Sequence, residues 1–356
     1  MGQDKLFFMA VKDSMTPKQR VYASLSFQEP DRVPRFIWLG NRLAEQLAKQ
    51  HGCTAVQLDV LLGNDILQSW VSFNGEMARS IDDGSEFTDA FGIVWRRGGA
   101  YNSVVKHPLA DADEKEIMRY EFPDPDDDSR YKTLDGLIDI YGSDYFIGAD
   151  VSGLLFEPAC YLRGMENVMV DLMEENGEIN ALLDKLEAFG KAAAVKSAKK
   201  NIDWVWLGDD LGAQRGMLIS PQVWRKHFKP RMARVIEAVR GVKPGMIIAY
   251  HSCGAMAPVI KDLAEIGVNV INPLQESAAG IDQQMIKKEY KKKLTLMCGP
   301  DTQTFLLNAS PEEVSDETLR LIKTLGEGGG YIFAVSHHIQ HDTPPENIKA
   351  MFEALE

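Results

Sequence analysis

Short, unbroken apolar runs alternate with amphipathic stretches through most of the second half of the chain. The runs are YFIGAD (145–150), DWVWLGDD (203–210), MIIAYHSCG (246–254), VNVINP (268–273), LTLMCG (294–299) and YIFAVSH (331–337). Each is rich in β-branched or aromatic residues and lacks polar alternation, as strands buried on both faces of a parallel sheet do. The stretches at 165–200, 221–240, 255–266, 281–290, 311–326 and 345–355 read as helices. Ser220-Pro221 and Ser310-Pro311-Glu312-Glu313 are start signals: a capping hydroxyl, a proline at the first helical position and acids in the first turn. Gly241 and Gly267 read as helix stops.

The first 140 residues are less regular. VPRFIWLG (33–40) reads as one more strand, with a helix at about 41–50; residues 87–99 suggest a hairpin or irregular insert, and the acidic stretch 122–131 a solvated loop leading into a helix. One early strand, six clear ones and room for another before residue 145 make eight. That count predicts an α/β chain folded as a (β/α)8 TIM barrel with an irregular N-terminal segment: one domain over 1–356, with 1–14 as an N-terminal extension.

A chain of 356 residues buries most of the surface its unfolded form exposes, so it needs no metal or disulfide merely to fold. A net charge of −13 argues against nucleic acid or an anionic membrane as partner. Four scattered cysteines (Cys53, Cys160, Cys253, Cys298) do not make a disulfide framework. No apolar run approaches the ~20 residues of a membrane span. The N-terminus lacks the long apolar region of a signal peptide, and Leu6 stands where a myristoylation motif starting at Gly2 needs Ser or Thr. A cytoplasmic protein is expected.

In a parallel barrel, functional groups collect at the carboxyl ends of the strands. The polar residues there are Asp150, Asp209, Asp210, His251, Cys253, Asn272, Gln275, Glu276, Cys298, Asp301, His337 and His338. The sharpest group is Tyr250-His251-Ser252-Cys253-Gly254. In an extended segment, residues i and i+2 face the same way, so an imidazole nitrogen and a thiolate sulfur can converge on one ion before Gly254 lets the chain turn. Zinc favours such a mixed set. A third ligand must come from another strand end: His337 or His338, with Cys298 as the competitor that can equally be a core residue. Of Asp209 and Asp210, one is read as a functional acid and one as a helix cap, without assigning which. Asp150 and Glu157 either face the pocket or cap the next helix. The run Lys287–Lys293 is read as a solvated helix end.

From about Met15 onward the chain resembles the uroporphyrinogen decarboxylase superfamily. The resemblance is carried by residues 16–34, 152–172, 208–230, HSCG (251–254), GPDTQTFL (299–306) and 328–351. True uroporphyrinogen decarboxylases carry an Arg-containing segment of the type RQAGRY that grips the porphyrin; here Arg35-Phe36-Ile37-Trp38-Leu39-Gly40-Asn41-Arg42 lacks it. HSCG instead resembles the zinc-dependent corrinoid methyltransferase branch, including the methylcobalamin:coenzyme M methyltransferases. There a Cys shortly before a C-terminal Thr-Pro completes the zinc site. Counting back from Thr343-Pro344, the matching position is His337.

The resemblance implies zinc on His251, Cys253 and His337 (alternatively Cys298), and a corrinoid carried by a partner protein that docks around residues 251–256, 275–282 and 337–342. The implied reaction moves a methyl group between a small methylated donor, or a thiol or folate acceptor, and that corrinoid protein. Asp150, Glu157, Asp210 and Glu276 are expected to take catalytic or orienting roles, and Asp209, Gln275, Asn272 and Asp301 to contact substrate. The alternatives are a metal-free decarboxylase and a non-catalytic member that binds a small molecule or corrinoid protein.

Overall fold

The structure, a computed structural model, describes residues 13–73, 83–98 and 101–356. The positions weighed for a signal or myristoylation motif, and most of the expected extension 1–14, lie outside these residues. Twelve strands occur among the described residues: β1 (Ile66–Trp70), β2 (Glu86–Thr88), β3 (Val94–Arg96), β4 (Ser103–Lys106), β5 (Phe146–Asp150), β6 (Trp204–Gly208), β7 (Gly212–Ala213), β8 (Gly216–Met217), β9 (Ile247–His251), β10 (Val270–Asn272), β11 (Thr295–Cys298) and β12 (Tyr331–Phe333). The principal strand pairings are parallel and helices follow the strands, so the chain is an α/β protein. No helix among the described residues is long and apolar enough to cross a membrane. The chain divides into two compact units, one formed by Gln68–Ile140 and Ile147–Val268, the other by the residues up to Leu67, Tyr141–Phe146 and Asn269–Glu356.

In the first unit β5, β6 and β9 run parallel in register, Gly148 beside Trp204 and Gly208 beside His251. The unbroken apolar runs have their expected meaning here: every residue of β5 and β6 is buried. Gly148 makes room for an indole, since a Cβ there would lie 2.1 Å from Trp204 Nε1. That nitrogen donates to Gln68 Oε1 at 3.2 Å. Gln68 belongs to β1, the strand for which the sequence left only an unassigned place. Gln68 and Ser69 interrupt its apolar run, which hid it.

The expected helix at 165–200 is two helices, Met165–Glu174 and Gly177–Ala198, and another, Phe156–Arg163, precedes them. Gly164 (φ 88°) separates Phe156–Arg163 from Met165–Glu174, and Asn176 caps Gly177–Ala198 by accepting from Ile179 N at 3.2 Å. Ser220 starts the next helix as expected, accepting from Val223 N at 3.2 Å. That helix passes through a π-turn at Trp224–Phe228 and runs on to Val242. Gly241 therefore lies inside the helix, and the left-handed position that follows is Gly245 (φ 82°). The expected hairpin at 87–99 is part of a three-stranded antiparallel sheet, β2-β3-β4.

In the second unit β10, β11 and β12 pair in parallel. The expected strand at 33–40 meets β12 through two parallel bridges, Arg35 with Phe333 and Leu39 with Ile339. Its regular ladder is interrupted because the Asn64 side chain takes both polar groups of Ile37, accepting from the N–H at 2.8 Å and donating to the carbonyl at 3.0 Å. On the far side Asp65 N donates to Arg35 O at 2.9 Å. Ser310 begins the helix Pro311–Gly326 with a full capping box with Glu313; in the first unit, Gly267 (φ 99°) closes Ile260–Glu265 as expected. Lys287 departs from the solvated reading of its basic run. It is half-buried and donates to Gly329 O, and burial lowers its pKa to about 8.

The same unit is fastened by a buried ion network. Arg20, fully buried, donates to Asp31 Oδ1 at 2.7 Å, Asp65 Oδ1 at 2.5 Å and Met15 O at 2.9 Å. Arg32 also donates to Asp65, at 2.9 Å. Removing one member of a buried pair strands the charge of the other. Arg20→Ala is therefore expected to lower unfolding free energy by about 3–5 kcal/mol in urea titrations, and a loss below about 1 kcal/mol would show that Arg32 alone satisfies Asp65.

Candidate metal and active site

His251 is the last residue of β9, and Cys253 follows two positions later. His251 Nε2 and Cys253 Sγ lie 3.5 Å apart. Tetrahedral zinc with bonds of ~2.1 Å to nitrogen and ~2.3 Å to sulfur would separate these atoms by about 3.6 Å, so the pair fits two corners of such a site. Backbone geometry imposes the spacing. Gly254 takes φ 78°, and a Cβ there would stand 2.4 Å from the Gly212 backbone. A Cβ on Gly212 would stand 2.5 Å from Ala255 N. Ala255 N also donates to Ala213 O at 3.0 Å. The turn after Cys253 thus lies backbone to backbone on the segment after β6, as two glycines permit.

Three carboxyl groups of the same unit gather around this pair. Asp210 Oδ1 accepts from Cys253 N at 2.8 Å and sits 3.5 Å from His251 Nε2. Asp209 is 2% exposed, and its carboxylate accepts from Leu155 N at 2.9 Å and Glu157 N at 3.1 Å. The helix Phe156–Arg163 has no cap of its own, so Asp209 supplies one from a neighbouring strand end. This resolves the Asp209–Asp210 ambiguity: Asp209 is the capping acid and Asp210 faces His251 and Cys253. The buried oxygens of Asp209, expected to contact substrate, accept from these amide groups.

Glu157 is half-buried; Oε2 accepts from Asp210 N at 3.1 Å, and Oε1 accepts from the Tyr161 hydroxyl, also at 3.1 Å. Tyr161 was not anticipated, although its i+4 spacing from Glu157 on a helix was a usable signal. Asp150, at the end of β5, is 3% exposed and accepts from Ser152 N at 2.8 Å, Ser152 Oγ at 2.5 Å and Gln68 Nε2 at 2.9 Å. Trp206 stacks on the His251 ring at 6.0 Å between centroids.

Burial governs the electrostatics. It raises Asp150 to about 6 against the hydrogen bonds from Ser152, and Asp209 to about 7 against those from Glu157 N and Leu155 N. Burial, with the charges of Asp210 and then Asp209, holds the Glu157 carboxyl well above its usual range. Burial, followed by Asp210 and Glu157, also raises the Cys253 thiol. Without a cation the sulfur keeps its proton; a metal ion supplies the charge that lets it become a thiolate.

The remaining expected residues belong to the other unit. His337 and His338 follow β12, with their Nδ1 atoms 3.2 Å apart and the His338 ring 5.4 Å from that of Trp38. Cys298 ends β11 fully buried, and burial raises its thiol pKa, the pattern of a core cysteine. Asn272 is 1% exposed and donates to Met297 O at 3.0 Å, a structural hydrogen bond. Gln275, Glu276, Asp301 and Ser336 help line a cleft of ≈ 140 Å³. Glu276 meets Arg320 at 3.2 Å. Asp301 accepts from Thr304 N at 2.8 Å and Thr304 Oγ1 at 2.7 Å, so it caps the short helix Phe305–Asn308.

Against this geometry the comparisons with known proteins are direct. The family model described as uroporphyrinogen decarboxylase (URO-D) matches residues 16–356, and the chain belongs to that family. A uroporphyrinogen decarboxylase from Coxiella burnetii is 22% identical over 287 residues, covering 75% of this chain and 73% of that protein. One from Anaeromyxobacter dehalogenans is 30% identical over 131 residues, 35% of this chain and 34% of that one. A methyltransferase from Methanosarcina mazei shares the fold, with a TM-score of 0.70 and 17% identity across 96% of this chain and 98% of that one.

Asp209 gives the site a pH signature. Folded, it ionises at about 7; unfolded, near 3.9. The folded protein therefore holds a proton that the unfolded chain has lost, and stability falls as pH rises from about 4 through 7. Asp209→Asn removes that component, so urea denaturation at pH 5 and pH 8 is expected to show a smaller difference than in the unaltered protein. An unchanged difference would assign the dependence to Asp150 and Glu157.

Proposed function

We propose that the protein is a zinc-dependent methyltransferase that moves a methyl group from a small methylated donor to a corrinoid held by a partner protein. The observation that carries this reading is the His251–Cys253 pair, two donor atoms 3.5 Å apart at a strand end and backed by Asp210. In this reading His337 supplies the third donor, making two imidazole nitrogens and one sulfur, and a fourth position stays open for substrate. The fold shared with the Methanosarcina mazei methyltransferase agrees with it. We also read the parallel strands as parts of one (β/α)8 barrel with segment 33–40 as the eighth strand, which would place these groups at the carboxyl face.

Bound zinc would polarise the heteroatom that carries the methyl group. This chain's own residues do the rest. Asp210 receives the Cys253 amide and faces the imidazole, which fixes the ligand pair. Trp206 walls the His251 ring. The face around residues 251–256, 275–282 and 337–342 receives the corrinoid protein. The protein works in the cytoplasm, where Cys253 stays reduced. The uroporphyrinogen decarboxylase relatives favour a second reading, a metal-free decarboxylase, in which Cys253 and His251 are dispensable.

Elemental analysis decides between them. About one zinc per chain is expected in the purified protein, with loss in both Cys253→Ala and His337→Ala. Cobalt(II) substitution should give a thiolate-to-metal charge-transfer band that vanishes in Cys253→Ala. Loss of zinc in Cys253→Ala alone would move the third ligand to Cys298 or a carboxylate. A zinc-free protein after reconstitution under reducing conditions would leave the decarboxylase or a non-catalytic binder.

A further inference from the structure

We propose, independently of the methyltransferase reading, that Lys287 is a modification site acylated by small acyl phosphates, and that its acylation releases the glycine loop leading into β12. Within the run Lys287–Lys293, Lys288, Lys291, Lys292 and Lys293 are exposed. Lys287, in the last turn of the helix Gln283–Glu289, is half-buried instead. Its Nζ donates to Gly329 O and lies against the bare α-carbon of Gly330. A Cβ on Gly330 would stand 3.3 Å from Nζ and 2.6 Å from the Phe27 ring. No carboxylate among the described residues pairs with this amine; the titratable groups that act on it are Cys298, at the end of β11, and Lys291.

The loop that receives the amine is unusual in its backbone. Gly328, Gly329 and Gly330 take φ of 72°, 72° and 68°, a left-handed run that glycine alone adopts readily. Gly329 N donates to Gly326 O at 3.1 Å and Gly330 N to Ser24 O at 2.7 Å, while Lys287 ties the loop to the helix Gln283–Glu289. Tyr331, the next residue, opens β12. Acylation removes the charge of Lys287, leaves its nitrogen a single N–H and adds a carbonyl and an alkyl group beside Phe27 and Gly330. The acylated side chain and the tied loop therefore exclude each other.

The reaction needs a neutral amine and an activated carbonyl. Burial supplies the first, lowering the Lys287 pKa to about 8. At pH 7.5 about a quarter of such an amine is neutral, against about a thousandth of an ordinary lysine. The exposed lysines of the run provide a cationic field for the phosphate of the donor. In the balanced step the Lys287 nitrogen bonds to the acyl carbon through its lone pair. The bond from that carbon to the phosphate oxygen breaks, its electron pair leaves on phosphate, and the nitrogen gives its proton to water. The products are an amide and inorganic phosphate.

The test incubates the folded protein with acetyl phosphate and reads acetylation of each lysine by peptide mass spectrometry. Lower basicity and partial burial offset part of the advantage in neutral amine. Lys287 is therefore expected to react about tenfold faster at pH 7.5 than Lys288, Lys291, Lys292 or Lys293. Its rate should level off above about pH 8, whereas those of its neighbours keep rising toward about pH 10. In concentrated urea the preference should vanish. Hydrogen exchange at Gly329 and Gly330 should speed up about tenfold in the acetylated protein and in Lys287→Gln. Lys287→Arg, which keeps the charge and the donors, should exchange there like the unaltered protein.

Acetylation of Lys287 no faster than that of its neighbours, a preference that survives in urea, or a rate that rises with theirs past about pH 9 would overturn the proposal. Unchanged exchange of the loop amides in the acetylated protein would overturn it as well. Each of these outcomes leaves the methyltransferase reading standing, because none depends on zinc or on methyl transfer.

Discussion

A carboxylate cannot remain buried at a strand end without donors around it, and much of the site follows from how this chain meets that requirement at Asp209. The helix Phe156–Arg163 begins with bare amide groups because Leu155 cannot cap it. Asp209 reaches from the end of β6 and takes the N–H groups of Leu155 and Glu157. One requirement satisfies the other: the helix needs an acceptor and the carboxylate needs donors. The union fixes the helix start against β6, and with it the positions of Glu157 and Tyr161. Asp210, the next residue, is then turned toward His251 and Cys253.

The site combines groups that push one another's proton affinities apart. Burial raises every carboxyl in it that departs from its ordinary value, and two of the neighbouring acids add to the effect at Glu157. The same field favours the neutral form of the Cys253 thiol. A centre of this kind is poorly arranged for a free anionic nucleophile. In the zinc reading proposed above, a cation would exchange with that proton, which is how soft-ligand metal sites couple occupancy to pH.

Much of this was legible in the sequence, and the exceptions have physical causes. The six buried strands were visible because parallel strands covered on both faces need unbroken apolar runs. β1 was hidden by Gln68 and Ser69, and Gln68 turns out to donate to Asp150 and accept from Trp204. Gly241 misled because glycine marks a helix end only where a left-handed residue is required, and here Gly245 takes that role. The long helix expected at 165–200 is interrupted at Asn176, ordinary punctuation that an amphipathic pattern averages away. The i, i+2 logic of His251 and Cys253 held because β9 is extended to its last residue. What the sequence could not separate was Asp209 from Asp210. Adjacent residues point to opposite sides, and which side meets a helix start depends on pairing across the sheet.

The contact between Gly212 and Gly254 bears on how such a scaffold can be altered. Loops at the carboxyl ends of parallel strands are commonly treated as interchangeable parts set on a constant frame. Here the loop after β6 and the loop after β9 meet main chain to main chain, with no side chain between them to absorb a change. A transplanted β6 loop lacking a glycine at position 212 would displace the turn that carries Cys253. The two loops are therefore a single heritable module, and grafts that aim to change what this face accepts have to exchange both together.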